Sequence, residues 1–584
     1  MTEGRVVTVR GLLQQEVSVS EAVVQVLEEV DIDMVFGITG GNAKHFFHAL
    51  HDRRSKIRTV LVRHEALAGV MAEVYGRLTG KPGVAIGQGV FMVSNATLGM
   101  LEAHHGSSPM LVLADLSDQA PFSHHGPYQA GTGEYGTCDV RTSLSGVTKQ
   151  TLTVNEAVQA VQSTQLAIKH AMTGERGPVA VLFHSSALGG RVGPDSVPRL
   201  YPTEFYLPGT PAPADARRVE AAAKVLLQAE RPVIIAGNGV RIGRAYAELK
   251  NLAESIAAPV TTTASGKSVF PETHPLALGV FGSYGLPVAN AVVGDADVVL
   301  VVGSKLGPND TANENPELLD PRRQKLLHID VEPKNIGWTF PCETGLVGDA
   351  AVALSQITQA IEELGRLSQE TLVSRHARVA EERKKHGFFF DSQEFSSDET
   401  PILPQRVVAE IHNAVADDAM VVCDAGENRL FMTHFYQAKD VGTFISPGAI
   451  GAMGYAIPAA LAAKLVHRNR QVVAVCGDGG FSMAMNGLIT AYEENIPIVT
   501  VILNNSALGW VRHGQEDEAI ASEFADIDYA SIARAMGCHG VRIDEPGQLS
   551  GALADALGAD RPAVLDVVTS MNISFQDIQS PLLG

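Results

Sequence analysis

The most chemically specific stretch of this 584-residue chain lies between Val472 and Ala507. Val472 to Cys476 is an apolar run that reads as a buried strand. Gly477-Asp478-Gly479-Gly480 follows at once, then a helix-like segment. A second apolar run, Ile498 to Leu503, ends in Asn504-Asn505-Ser506-Ala507. Both polar clusters therefore fall at the carboxyl ends of parallel strands, where open α/β sheets bind ligands. Asp478 and Asn505 each offer a hard oxygen, and a carbonyl at Ala507 adds a third. Mg²⁺ takes about six oxygens and usually shares the set with phosphates and water. Gly477, Gly479 and Gly480 let main-chain N–H groups at the helix start face phosphate oxygens. A tight turn explains GDGG alone, and a strand end explains the asparagines alone. The pair, separated by one helix and one strand, points to a metal–phosphate site.

The elements that position these residues recur along the chain. A β-branched run, a Gly-rich turn and an Ala/Leu-rich helical stretch repeat in DMVFGITGGNAKHFFHAL, RPVIIAGNGVRIGRAYAELKNLAESI and RQVVAVCGDGGFSMAMNGLITAYEEN. Strands alternating with helices predict parallel sheets covered by helices. Runs such as VVAVC and IVTVIL are apolar throughout, as strands buried on both faces must be. A proline-rich seam runs from Pro194 to about Ala214, and a charged seam from about Arg366 to Pro404. The expected fold class is α/β, with three doubly wound parallel-sheet domains at residues 15–193, 214–365 and 400–570. Residues 571–584 form a tail or lid. No short repeat is present, although the outer two domains share one strand–turn–helix grammar.

GDGG and LNN at this separation resemble the diphosphate–metal motif of the thiamine-diphosphate enzymes. The likeness extends over nearly the whole chain and is strongest toward the acetolactate synthase, pyruvate oxidase, benzaldehyde lyase and 2-hydroxyacyl-CoA lyase group. It implies a pyrimidine-binding, a central and a diphosphate-binding domain, in that order. By resemblance, Asp478, Asn505 and the Ala507 carbonyl hold Mg²⁺, and Gly477, Gly479, Gly480, Leu508 and Gly509 lie along the cofactor. Glu65, in Arg63-His64-Glu65 after the run RTVLV, matches the glutamate that hydrogen-bonds the aminopyrimidine ring. A carboxylate there favours the imino tautomer, which takes the thiazolium proton and leaves a carbanion as nucleophile. Ser446-Pro-Gly-Ala-Ile-Gly451-Ala-Met453 resembles the segment wedged between the two cofactor rings, with Met453 as the wedge and the Gly451 carbonyl facing the aminopyrimidine. Asp424-Ala-Gly-Glu427-Asn428 matches the stretch reaching the diphosphate end, where acetolactate synthases commonly carry Gln-His. A carboxylate beside a diphosphate is electrostatically awkward, so Glu427 alternatively faces substrate or takes a backbone amide.

On the substrate side the resemblance places Asn42 in Gly37-Ile-Thr-Gly-Gly41-Asn42, Gln88 in Gly87-Gln88-Gly89, and His124-His125 between Asp115 and Gln129. Adjacent histidines resemble a proton-transfer pair of some family decarboxylases, though a solvated loop explains them equally. Many relatives carry a Glu where this chain has Gly487, which argues against simple pyruvate decarboxylation. Gly509-Trp510-Val511-Arg512-His513-Gly514-Gln515 departs from G-M-V-x-Q-W-Q, so the selectivity tryptophan is missing and Trp510 stands one turn earlier. These changes imply a substrate other than two pyruvates. In the central domain, Gly237-Asn238-Gly239 and Ile329-Asp330 match a region that in relatives holds FAD, the ADP of a CoA ester or nothing, and a lone Gly-x-Gly turn is as well explained by structure alone. Arg241 and Arg244 stand where they pair with phosphates or are simply solvated.

The expected activity is thiamine-diphosphate- and Mg²⁺-dependent making or breaking of a carbon–carbon bond beside a carbonyl, through a carbanion and an enamine. An acetolactate-synthase-like carboligase or lyase on a 2-oxo acid comes first, and a 2-hydroxyacyl-CoA lyase second. From another class, a catalytically idle nucleotide-binding regulatory subunit is opposed by Glu65, Asp478 and Asn505 all being present. The resemblance also implies a homodimer or dimer of dimers with active sites at the interface. Forty-five basic against 65 acidic residues give a net charge of −20, which disfavours nucleic acid and anionic membrane as partners. No apolar run approaches the length of a membrane span, and the first residues lack a signal peptide's apolar core. Five scattered cysteines without a CxxC fit a reducing cytoplasm better than a disulfide framework.

Overall fold

The structure is a computed structural model describing residues 10–117, 129–133, 136–389 and 392–578. The chain divides into two compact units, Met1–Gly209 and Thr210–Gly584, the first ending inside the proline-rich seam.

The first unit is built on a parallel sheet of six strands: β1 (Met34–Gly37), β2 (Arg58–Leu61), β3 (Gly83–Gln88), β4 (Met110–Leu116), β5 (Gln150–Val154) and β6 (Pro178–His184). Their spatial order is β2-β1-β3-β4-β6-β5. Every residue of β4 and β6 is buried, because helices cover both faces of the sheet. Three helices matter below: α1 (Glu65–Thr79), α2 (Gly89–Asn95) and α3 (Thr97–His105). The His64 ring caps α1 by accepting the Ala66 N–H, and Gly80, in the left-handed region, ends it.

The second unit holds two more parallel sheets. The central one comprises β7 (Pro232–Ala236), β8 (Val260–Thr262), β9 (Ala277–Val280), β10 (Val298–Val302), β11 (Lys325–Asp330) and β12 (Thr344–Val347), in the order β9-β8-β7-β10-β11-β12. The last comprises β13 (Met420–Cys423), β14 (Phe444–Ile445), β15 (Val472–Gly477), β16 (Val499–Asn504), β17 (His539–Ile543) and β18 (Ala563–Val568), in the order β14-β13-β15-β16-β18-β17. The first and last sheets thus repeat one winding, and the central sheet has another. The α/β class with three parallel sheets is as expected from the sequence.

Where the strand order reverses, crossovers leave on opposite faces and open a crevice at the carboxyl ends. In the first sheet that point lies between β1 and β3, the strands carrying the Gly41-Asn42 and Gln88-Gly89 turns. In the last sheet it lies between β13 and β15, which end at Asp424 and at Gly477-Asp478. The residues singled out from the sequence therefore sit where each winding opens.

Lys267 and Glu272, both essentially unexposed, tie the central part of this unit to the last. Lys267 Nζ lies 2.8 Å from both Glu272 oxygens, and Glu272 also accepts the Ala438 N–H at 2.6 Å. Removing one partner of such a pair strands a charge in the core at a cost of about 3–5 kcal/mol. Lys267→Met is therefore expected to lower the denaturant midpoint strongly, and Lys267→Met with Glu272→Leu much less. Equilibrium unfolding of both variants checks this. Among the described residues, no helix is long and apolar enough to cross a membrane.

Candidate active site

In the second unit the two polar clusters converge. Asp478 opens α5 (Asp478–Ala484) and is 1% exposed. Its Oδ1 accepts the Gly479 N–H at 2.8 Å and its Oδ2 the Ala507 N–H at 3.1 Å. The same Ala507 N–H lies 3.2 Å from Asn505 Oδ1, so carboxylate and amide oxygens close on one point. Burial lifts the Asp478 carboxyl to about 6, against the pull of these N–H groups. A buried carboxylate held by N–H dipoles, with an amide oxygen alongside, is a fitting seat for a hard divalent cation. Among the described residues no three His, Cys, Asp or Glu side chains converge on a metal position, so this oxygen set is of a different kind. The asparagines divide the work. Asn504 is buried, donating to Asp566 at 2.8 Å and to the Ile527 carbonyl at 3.2 Å, which anchors the strand end and frees Asn505 for the site.

Above Asp478, Gly479 is buried under apolar side chains that leave no space for a Cβ. A Cβ on Gly479 would stand 2.9 Å from Leu508, 3.0 Å from the Met453 terminal methyl and 3.4 Å from Phe524. Asp424, 1% exposed, explains how Met453 is placed. Its carboxylate accepts the N–H groups of Ala425 (2.9 Å), Gly454 (2.9 Å) and Ala456 (2.8 Å), clamping the loop that bears Met453 onto the end of β13. Gly454 has φ +79°, a conformation the loop needs to turn into that grip. Burial raises the Asp424 carboxyl to about 6. Asn428 gives its Nδ2 to the Ala425 carbonyl at 2.7 Å, while its buried Oδ1 has no hydrogen-bond partner among the described residues. Gly451, in the same loop as Met453, has φ +70°.

Glu427, at the start of α4 (Glu427–Phe435), takes a backbone amide, one of the alternatives left open by the sequence. Its Oε1 accepts the Phe575 N–H at 2.7 Å, the Ser574 hydroxyl at 3.3 Å and His513 Nδ1 at 3.1 Å. His513 in turn lies 2.9 Å from the Met571 carbonyl through Nε2. The tail is therefore docked as far as it is described: Phe575 is fully buried, edge-on to Tyr284, Phe431 and His434. A Cβ on Gly509 would stand 2.8 Å from both Glu427 Oε2 and Asn505 Nδ2, which ties this clasp to the metal side. Glu427→Ala is expected to speed backbone hydrogen exchange across residues 571–578 about tenfold or more, because a buried charge-assisted anchor is lost. Exchange mass spectrometry reads this directly.

In the first unit, Glu65 begins α1 and its Oε2 accepts the Asn95 amide at 2.8 Å. Asp115, at the end of β4 and 2% exposed, accepts the Asn42 N–H at 2.7 Å and the Gly89 N–H at 3.2 Å. One buried carboxylate, raised by its burial, thus staples the two Gly turns that carry Asn42 and Gln88. The Gln88 amide lies against Gly40 and Gly41 and donates to Gln129 at 3.0 Å. His124 and His125 lie outside the described residues. Asp115 and Asn95 were not among the expected site residues. An Asp ending an otherwise apolar run, as in MLVLADL and MVVCD, is the signal that marks Asp115 and Asp424.

The central turn is explained by packing. The Gly237 and Gly239 N–H groups donate to the Val302 and Gly303 carbonyls at 2.8 and 2.9 Å, and Cβ atoms there would run into Gly303. Arg241 is buried and bonded to the Ser265, Lys267 and Phe444 carbonyls, so it is neither solvated nor turned to a phosphate. Trp510 packs against the core of the last sheet. Gly487 is buried at the start of its helix.

Parallel sheets, a buried carboxylate–amide oxygen pair at the carboxyl ends of two neighbouring strands and a loop clamped beside Gly479 make up one candidate site in the second unit. Family models agree in three consecutive matches: the thiamine pyrophosphate enzyme N-terminal TPP-binding domain over residues 17–132, the central domain over 219–357, and the C-terminal TPP-binding domain over 424–567. The chain is 30% identical over 564 residues to a Methanocaldococcus jannaschii protein named "Probable acetolactate synthase large subunit", covering 94% of this chain and 91% of that one. It is 29% identical to the acetolactate synthase large subunits of Corynebacterium glutamicum (96% and 88% covered) and Haemophilus influenzae (93% and 92% covered). The chain belongs to the thiamine pyrophosphate enzyme family and is a thiamine-diphosphate-dependent enzyme of carbon–carbon bond chemistry.

Proposed function

We propose that this chain is an acetolactate-synthase-like carboligase or lyase acting on a 2-oxo acid, with Mg²⁺ joining thiamine diphosphate to the protein. The observation that carries the reading is the closure of Asp478 Oδ2 and Asn505 Oδ1 on one point beside the bare Gly479. The relatives named acetolactate synthase large subunits support the reaction class. Bound thiamine diphosphate supplies a nucleophilic thiazolium carbon that stabilises an acyl-anion equivalent. The protein's part is positioning and proton control. Asp478, Asn505 and the Ala507 carbonyl hold the metal, and the surfaces of Gly477, Gly479, Gly480, Leu508 and Gly509 seat the diphosphate. Asn428 offers its unpartnered oxygen to the same end, and Glu427 holds the surrounding segments in place. Met453 and the Gly451 carbonyl set the ring geometry, and Glu65 exchanges a proton with the aminopyrimidine. Asn42 and Gln88, with His124 and His125, orient the carbonyl substrate.

Gly487 and Gly514, where the sequence departs from the acetolactate synthase pattern, favour a substrate other than two pyruvates. We also propose assembly into a homodimer or dimer of dimers. Met483 and Phe524, beside Gly454 and Gly479, stand 63% and 39% exposed, an apolar surface that a second copy would cover. The five cysteines are free thiols, which favours a reducing cytoplasm. Incubation with thiamine diphosphate, Mg²⁺ and a panel of 2-oxo acids tests the reading. Carbon dioxide release with a 2-hydroxy-3-oxo acid product bears it out, and silence with every 2-oxo acid rejects it.

A further inference from the structure

Glu65 and Asn95 are thirty positions apart, and a close helix crossing brings them together. Where α1 passes α3, a Cβ on Gly99 would stand 2.0 Å from the Gly69 carbonyl carbon, and one on Gly69 would stand 2.6 Å from the Ala96 carbonyl oxygen. The two backbones touch, and Asn95, the residue just before Ala96, is delivered to the mouth of α1. Its Nδ2 donates to Glu65 Oε2 at 2.8 Å, leaving Oε1 to meet a ring nitrogen. An amide suits this place better than a lysine or arginine. It fixes the carboxylate's orientation through a neutral donor and sets no second charge beside it.

We propose that Asn95 is a positioning residue for Glu65. It holds one carboxylate oxygen so that the other is aimed for proton exchange with the cofactor. This rests on the reading of Glu65 as the carboxylate that activates thiamine diphosphate. The crossing at Gly69 and Gly99 is the device that sets the distance.

The test uses the full-length enzyme with thiamine diphosphate and Mg²⁺ and no substrate. Deuterium exchange at the thiazolium carbon is followed by quench-flow NMR, and the tautomer of the bound aminopyrimidine by near-ultraviolet circular dichroism. Asn95→Ala should slow exchange roughly ten- to hundredfold and weaken the imino signal, with cofactor Kd changed less than about threefold. Asn95→Asp sets a second carboxylate beside the first and should move the acidic limb of the exchange–pH profile up by about one pH unit or more. Asn95→Gln, which keeps the amide, should recover part of the rate. Native exchange in Asn95→Ala with an unmoved profile in Asn95→Asp overturns the proposal, as does an exchange loss fully matched by lost affinity. Glu65→Gln run in parallel separates the two ideas: native exchange in that variant sinks the reading of Glu65 itself, whereas its collapse beside native Asn95 variants sinks only the positioning role.

Discussion

Glu65→Gln is expected to lower turnover about 10²- to 10⁴-fold while the protein folds and binds cofactor nearly as before. The range is that of removing a positioned general acid–base group. The substitution is close to isosteric and keeps an oxygen for the Asn95 amide, 2.8 Å from Glu65 Oε2 in the native chain. Lost is the ability to take and return a proton. Since Glu65 caps no core and sits half-buried at the first turn of α1, melting should move by only a degree or two. Steady-state rates beside calorimetric cofactor titration would separate the two effects. A matched collapse of rate and affinity would mean that Glu65 shapes the pocket and leaves proton transfer to another group.

The second large effect is a crossing of stabilities at Asp478. Burial raises this carboxyl from an ordinary value of 3.8 to about 6. A carboxyl raised by folding favours the folded state when protonated. That contribution is complete below about pH 4 and is lost as pH rises through about 6. At pH 7 the ionised group therefore costs the metal-free protein on the order of 3 kcal/mol. Asp478→Asn keeps the shape and removes the charge. It should melt at or above the native temperature when no metal or cofactor is present. With saturating Mg²⁺ and thiamine diphosphate the order should reverse, because native Asp478 gains a cation and the variant does not. Loss of a metal ligand should weaken Mg²⁺-dependent cofactor binding by about a hundredfold or more. Thermal melts with and without both ligands give the four values needed, and parallel curves would remove Asp478 from the metal site.

These residues show what a single sequence discloses. The strand–turn–helix rhythm was legible because fully apolar runs and Gly turns report buried parallel strands directly. The shared winding of the first and last sheets was not, because strand order depends on which face each crossover takes. GDGG and the asparagine pair stood out because glycine and hard-oxygen side chains end two successive strands. Which asparagine faces the site follows from a buried bond between Asn504 and Asp566, 62 positions away, and no local pattern shows that. Asp424 and Asp115 act through main-chain N–H groups of loops, a role whose trace in the local pattern is a charge at the end of an apolar run. Asn95 owes its place to a backbone contact between two glycines in separate helices. Glu427 was ambiguous from local sequence because the partner that settles its Oε1, the Phe575 amide, lies 148 positions along the chain. The central Gly-Asn-Gly turn is open from sequence alone to a packing role or a nucleotide, and its glycines admit Gly303.

In the proposed site, this chain seats thiamine diphosphate through a metal ion at Asp478 and Asn505. Calorimetric titration of thiamine diphosphate into the purified native protein, with Mg²⁺ and then with the metal removed by chelator, tests it most directly. One cofactor should bind per chain with Mg²⁺ present, at least tenfold more weakly without it, and the metal dependence should be lost in Asp478→Asn. Absence of binding at any concentration, or binding indifferent to both the metal and Asp478, would contradict it.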